Sequence, residues 1–338
     1  MKLIKLSVLE HGYIKEGFTV RDALSEATEL IQFTESLGYH RFWVSEHHGM
    51  PALSFSSPEV MISHLASHSS RIRVGSGGIM LPHYSAYKVA ENFRLLEALY
   101  PGRIDLGIGR ATGAMPLATA ALNEGKRMNS QQFPVQIDDL IGYLYEDLPE
   151  DHRYANLKAI PLIDSVPELW VLGSSSEGGK IAARHGVSYS FAQFFGVPGG
   201  EEAIHHYKAG FQPSIVRDTP RTMITISVIC ADTEEEAKSL ASSNQLYFLA
   251  LMRGAQLSGF PSVETSLQYP YTAVEKEQIN SRRHLSIVGD PEQVKRGILR
   301  ISEFYNVDEI MIASAIHDFE ARKRSFQLIA EVMREGEE

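Results

Sequence analysis

Cysteine is almost missing from this sequence. Cys230 is the single one among 338 residues, which excludes an intrachain disulfide framework and a cysteine-rich zinc site. Long apolar runs are missing too: none approaches the ~18 residues that a membrane span needs. The apolar stretch at Leu3-Ile4 and Leu6 is broken by Lys5 and soon by Glu10-His11, too short for a secretory signal. There is no excess of cations. Lys plus Arg is 32 against 42 for Asp plus Glu, a formal charge of −10. That balance argues against a nucleic-acid partner, because neutralising phosphates takes clustered Lys and Arg. No Gly-x-Gly-x-x-Gly fingerprint for a nicotinamide coenzyme and no helix-borne His-Glu-x-x-His is present. The remaining composition, 43% hydrophobic and 22% charged, is that of an ordinary globular chain. These absences predict a soluble, cytoplasmic protein.

What is present is an alternation. Strand-like runs occur at 3–9, 41–45, 71–76, 103–108, 168–172, 187–191, 223–229 and 308–313. Between them lie stretches with apolar residues at helical spacing, such as Val20, Leu24, Ala27 and Ile31, or Val89, Ala90, Phe93 and Leu96. Thr19 with Asp22 reads as a capping box, and Ser57-Pro58 opens a helix. Further helices are expected over 126–146, near 178–185, over 200–210, after a cap at Asp232, and from about Phe319. Eight strands each followed by a helix point to a parallel sheet, since parallel strands need crossovers. The expected fold is α/β: a single (β/α)8 TIM barrel over residues 1–338, with insertions at 147–167 and 256–290. An open doubly wound sheet is the alternative, weakened by the absent glycine fingerprint after the first strand.

In such barrels the chemistry sits at the C-terminal ends of the strands. There the sequence places Glu46-His47-His48, Gly77-Gly78, Gly109-Arg110 and the turn Gly173-Ser174-Ser175-Ser176-Glu177-Gly178-Gly179. Neighbours in extended chain face opposite ways, so one of His47 and His48 is expected to face a pocket and the other to pack. Imidazole can exchange a proton near neutrality, which marks the pair as a candidate for acid–base work. The serine turn before a helix reads as an anion cradle or as an ordinary capped turn. It is no P-loop, because Gly179 stands where lysine is required. Arg110 calls for an anion: a phosphate, or a barrel carboxylate such as Glu46. No second cluster has metal-ligand spacing, so no metal site is expected.

Several of these segments are recognisable. Phe42-Trp43-Val44-Ser45-Glu46-His47-His48, Val74 to Pro82 with Glu91 following, Pro101 to Arg110, the helix start at Ser174, and Val288-Gly289-Asp290-Pro291-Glu292-Gln293-Val294 occur in the order found in the bacterial luciferase-like flavin-dependent monooxygenases. The chain resembles that family over most of its length. The resemblance implies that reduced FMN and O2 oxygenate a small organic substrate through a C4a-hydroperoxyflavin. It implies that Arg110 with Ser174, Ser175, Ser176, Gly178 and Gly179 holds the FMN phosphate. Gly77 and Gly78 would lie against the flavin ring, joined by a non-prolyl cis peptide, and His47 would be the catalytic residue. Glu91 matches an acidic residue of the same group. Further implications are a separate flavin reductase and a homodimer. Gly113 stands where light-emitting relatives carry an aromatic residue, so light emission is not expected. A deazaflavin-dependent oxidoreductase on the same scaffold and a non-catalytic flavin-binding protein are the alternatives. Phe260, Tyr269 and Tyr271 in the second insertion read either as a lid or as packing.

Overall fold

The computed structural model describes residues 4–125 and 128–335. Its strands, in chain order, are β1 (Lys5–Glu10), β2 (Arg41–Val44), β3 (Arg73–Ser76), β4 (Ile79–Met80), β5 (Ile104–Gly109), β6 (Glu168–Gly173), β7 (Ser188–Ala192), β8 (Thr222–Cys230), β9 (Ser286–Gly289) and β10 (Glu309–Ala313). Eight of them close a barrel in the order β1-β2-β3-β5-β6-β7-β8-β10, and β10 returns to pair with β1. Every pairing is parallel, with helices as crossovers. The eight runs expected from the sequence are these eight staves; residue 3 of the first lies outside the described residues. The two short strands are additions. β4 extends the β3 edge along β5, with Ile79 opposite Ile108, and β9 lies along the second half of the nine-residue β8.

Side-chain alternation builds two cores from the same strands. In β1, β2 and β10, Val8, Phe42, Val44 and Ile312 point outward into the layer between strands and helices. Leu9, Trp43 and Met311 point inward, where they meet Trp170 and Met223. Trp43 and Trp170 fill the axis edge to face, with ring centres 5.6 Å apart.

Below these indoles the barrel is closed by charge. Arg41 is fully buried. It donates to Asp105 at 2.7 Å, Glu309 at 2.6 Å and Glu168 at 3.0 Å. Arg73 reaches Asp105 at 2.6 Å, and Arg221 pairs with both Glu309 and Glu168. The Trp43 indole N–H donates to Asp105 at 2.8 Å, and the Arg41 and Arg221 guanidiniums lie 5.0 and 5.1 Å from the Trp170 ring centre. Burial alone would raise the Asp105 and Glu309 carboxyls. The adjoining guanidiniums more than offset it, and both lie below the usual carboxylate range.

Local sequence signals explain most helix boundaries. Thr19 and Asp22 form the reciprocal capping box, Pro58 opens its helix, and the last helix runs Phe319–Arg334. Two starts differ. The helix expected over 126–146 begins at Phe133, after a 3-10 turn at Ser130–Gln132; residues 126 and 127 lie outside the described residues. The helix Glu234–Met252 is capped by Thr233 instead of Asp232, because Asp232 is engaged by Arg324 at 2.6 Å. Of the two insertions, 147–167 holds no helix or strand. The other contributes helices Val263–Gln268 and Ala273–Arg282 before β9. Of its aromatics, Phe260 packs: it is fully buried, its ring 4.5 Å from that of Tyr13 and 5.5 Å from that of Tyr247, whereas Tyr269 lies at the surface and donates to Glu275.

Candidate active site

The C-terminal rim sorts the candidate residues by strand register. Val44 pairs with Ser76, and its carbonyl accepts from the Gly77 N–H at 2.7 Å, so the His47 segment leaves the barrel beside the twin glycines. Met80 pairs with Gly109 and Gly109 with Leu172. The glycines, Arg110 and the Gly173–Ser176 turn therefore follow one another on neighbouring strands. They form an arc whose first member is His47 and whose steps are single strand spacings of ~4.8 Å.

A cavity of about 390 Å³ opens over the other side of the rim. Its floor carries His11 from the end of β1, His47, Ser227 and Ala313. Phe194, Phe248 and Leu285 stand in its walls. Arc and cavity share His47.

His47 faces the cavity, and His48 turns away. Its Nε2 lies 2.9 Å from Glu46 Oε1, and Glu46 also accepts from the Tyr84 hydroxyl at 2.8 Å and the Met80 N–H at 3.1 Å. Glu46 is thus engaged by His48 and by the segment that follows the twin glycines, and does not serve Arg110. Burial raises its carboxyl, and those three hydrogen bonds only partly offset the shift.

His47 has a companion that the sequence reading passes over. The buried Ser45 hydroxyl lies 3.1 Å from His47 Nδ1 and 3.0 Å from His11 Nδ1, and the two rings are 5.7 Å apart. No other group among the described residues accepts the hydroxyl proton. It therefore goes to one ring, and the other ring donates its Nδ1–H to the serine oxygen. While both are neutral, the two imidazoles hold opposite tautomers. The signal was available: His11 follows β1 as His47 follows β2, and the rim rule applies to both.

Burial pushes the His47 imidazole down to about 3, with His11 and His48 adding to the shift. Burial, then Arg322, pushes His11 down to about 4. An unfolded histidine takes its proton near 6.5. Between that value and the folded values the unfolded chain binds more protons, so stability rises with pH there and is lost on acidification. We expect urea-derived unfolding free energies to hold above pH 7 and to fall from pH 6.5 toward 4. The fall should be less steep in His47→Asn. An identical slope in the variant would mean that His47 is not buried in its neutral form.

The remaining candidates fall as follows. Arg110 is exposed and makes no hydrogen bond or ion pair among the described residues. Ser175 occupies the N-cap of helix Ser176–Arg184, yet its hydroxyl makes no capping bond; its carbonyl accepts from the Tyr189 hydroxyl at 3.1 Å. Ser174 and Ser176 are partly exposed beside it, and Glu177 projects to solvent. The Gly77–Gly78 peptide is cis. A Cβ on Gly77 would stand 2.6 Å from Leu9 Cδ1, and one on Gly78 2.7 Å from the Gly107 carbonyl. The room left by these glycines is thus filled by the protein itself. Gly179 likewise admits the Ala203 carbonyl of the next helix, and Gly178 meets Gly173 backbone to backbone. Glu91 lies in the helix layer, on Ala86–Leu99, held by Lys88 at 3.4 Å and by the Tyr87 hydroxyl. Among the described residues no group of three or more His, Cys, Asp or Glu could hold a metal ion, and no helix is long and apolar enough to cross a membrane.

Residues 6–305 match the luciferase-like monooxygenase family. The chain belongs to that family. It is similar to the uncharacterized protein YwcH of Bacillus subtilis (strain 168), 48% identical over 97% of this chain and 99% of that one. It is also similar to the N-acetyl-S-alkylcysteine monooxygenase of the same organism, 35% identical over 98% of both chains. Among solved structures, apo-MsnO8 superposes with a TM-score of 0.89 at 34% identity, covering 98% of each chain. The luciferase-like family is thus met in sequence and in fold across nearly the whole length.

Proposed function

We propose that this chain is an FMN-dependent monooxygenase in which reduced FMN and O2 serve to oxygenate a small organic substrate. The observation that carries the reading is the arc of consecutive rim segments ending at His47, in a chain of the luciferase-like family. A mononucleotide fits the groups on that arc. Arg110 offers a guanidinium with no partner among the described residues, and the adjoining helix begins without a side-chain cap, leaving N–H groups and a positive dipole end for a phosphate. Ser174, Ser175 and Ser176 would add hydroxyls. Gly178 and Gly179 would let the turn close on the strand and the next helix. The Gly77–Gly78 peptide would border the ring.

Reduced flavin, when bound, supplies the two electrons that activate O2. The protein does the rest. Apolar cavity walls exclude water. His47, neutral at working pH, accepts a hydrogen bond or a proton when negative charge arrives beside it, since an adjacent anion raises its affinity for a proton. Ser45 couples the tautomer it presents to that of His11. The absence of a dinucleotide fingerprint favours delivery of reduced flavin by a separate reductase. The Bacillus relative's name marks an N-acetyl-S-alkylcysteine as that protein's substrate. A small molecule of comparable size suits a cavity of about 390 Å³.

Anaerobic titration with reduced FMN, reduced riboflavin and a reduced deazaflavin mononucleotide tests this. Arg110→Ala should weaken FMN binding by about 1.5–3 kcal/mol, the worth of a hydrogen bond to a charged group, and leave riboflavin unchanged. Unaltered FMN affinity in the variant would remove Arg110 from the site. Tighter binding of the deazaflavin than of FMN would move the protein to the other cofactor.

A further inference from the structure

The cavity has a polarity that the proposed chemistry does not require. Three cations reach its lining, Lys238, Arg282 and Arg283, and no aspartate or glutamate does. The three are not equivalent. Lys238 is paired with Glu234 at 2.5 Å, and Arg283 is exposed. Arg282 is partly buried. Its guanidinium lies 5.5 Å from the Phe248 ring centre and donates weakly to the Phe195 carbonyl at 3.4 Å. It has no carboxylate partner among the described residues. Gln278, one turn earlier on the same helix, and Asn244 each leave an amide oxygen buried without a partner. Either side-chain amide, turned by half a revolution, presents its NH2 in place of that oxygen and can donate to an acceptor brought by a ligand. The rest of the lining is mainly apolar, with Gln245, Ser227 and Ser286 as further polar members and His11 and His47 at the floor.

We propose that the substrate is an amphipathic carboxylate, gripped by Arg282 at the rim, with its apolar body directed down the cavity and its reacting end at His47. This rests on the monooxygenase reading and names its substrate class. Of the two guanidiniums in the lining without a carboxylate partner among the described residues, Arg283 is exposed and Arg282 is half-buried against the wall, and the planar fork of Arg282 matches a carboxylate with two parallel hydrogen bonds. An ammonium head group is disfavoured, since the lining offers cations and no anion to receive it.

The test uses the full chain loaded with FMN. Octanoate, octanamide and octylamine are titrated by calorimetry into wild type, Arg282→Gln and Arg282→Lys, and FMN affinity is read in parallel from flavin fluorescence. Wild type should bind octanoate roughly tenfold or more tightly than octanamide, as a charge-assisted pair implies, and octylamine least. Arg282→Gln should abolish the preference for octanoate, and Arg282→Lys should keep part of it. FMN affinity should be unchanged in both. Equal affinity for octanoate and octanamide, or a preference that survives Arg282→Gln, overturns the proposal. Loss of FMN affinity in Arg282→Gln also overturns it, by giving the guanidinium to the cofactor. If wild type selects octanoate but binds no FMN, the carboxylate site stands and the flavin reading alone fails.

Discussion

Arg41→Met is expected to lower the unfolding free energy by about 3–5 kcal/mol at pH 7, the usual result of removing one member of a buried ionic cluster. Methionine occupies similar volume, so the cost is electrostatic. Asp105 and Glu309 stay buried and lose the cation that bonds both, while Arg73 and Arg221 each compensate one of them. The pH dependence separates this from a packing defect. In wild type both carboxyls lie below the usual range, so their contribution is complete above ~4, the unfolded value, and is lost as pH falls through the folded values. In the variant one lowering cation is gone while the burial remains, so both carboxyls should move up, and acidification from pH 7 to 5 should relieve more of the charge than in wild type. The gap between variant and wild type in urea unfolding should therefore narrow at pH 5. A loss under about 1 kcal/mol, or a gap indifferent to pH, would contradict this account.

His47→Asn should slow substrate oxygenation by roughly 10²–10⁴-fold, the usual share of a positioned acid–base group, with FMN affinity preserved. Asparagine keeps a polar group at the floor of the cavity but cannot carry a proton. The comparison with His11→Asn is informative. His11 acts through Ser45, so its loss should alter the pH profile of turnover and lower the rate less. Wild-type rates in His47→Asn would transfer the proton work to another group of the cavity.

The barrel was legible because each stave is a short apolar run bounded by polar turns, and the crossovers carry helical spacing between them. β4 was not, since two residues have no period, nor was β9, which begins with the polar Ser286. Asp232 and Thr233 are adjacent cap formers, and only the distant Arg324 decides between them. The arc from His47 to Ser176 was readable residue by residue because the rim rule applies to every strand end. The cavity was not. Its walls come from Phe194, Phe248, Leu285 and Arg282, which are brought together by tertiary packing across 91 positions of chain, from 194 to 285. In the 256–290 insertion Phe260 serves the packing, and Tyr269 lies at the surface and bonds Glu275.

The bridging serine between His11 and His47 has a kinetic consequence. A proton taken up on the outer nitrogen of one imidazole can release another from the outer nitrogen of its companion, with no ring turning. Each such passage leaves both rings inverted, so a second proton cannot follow in the same direction. The relay is single-shot: it must be reset between turnovers, either by a return transfer or by a turn of both rings.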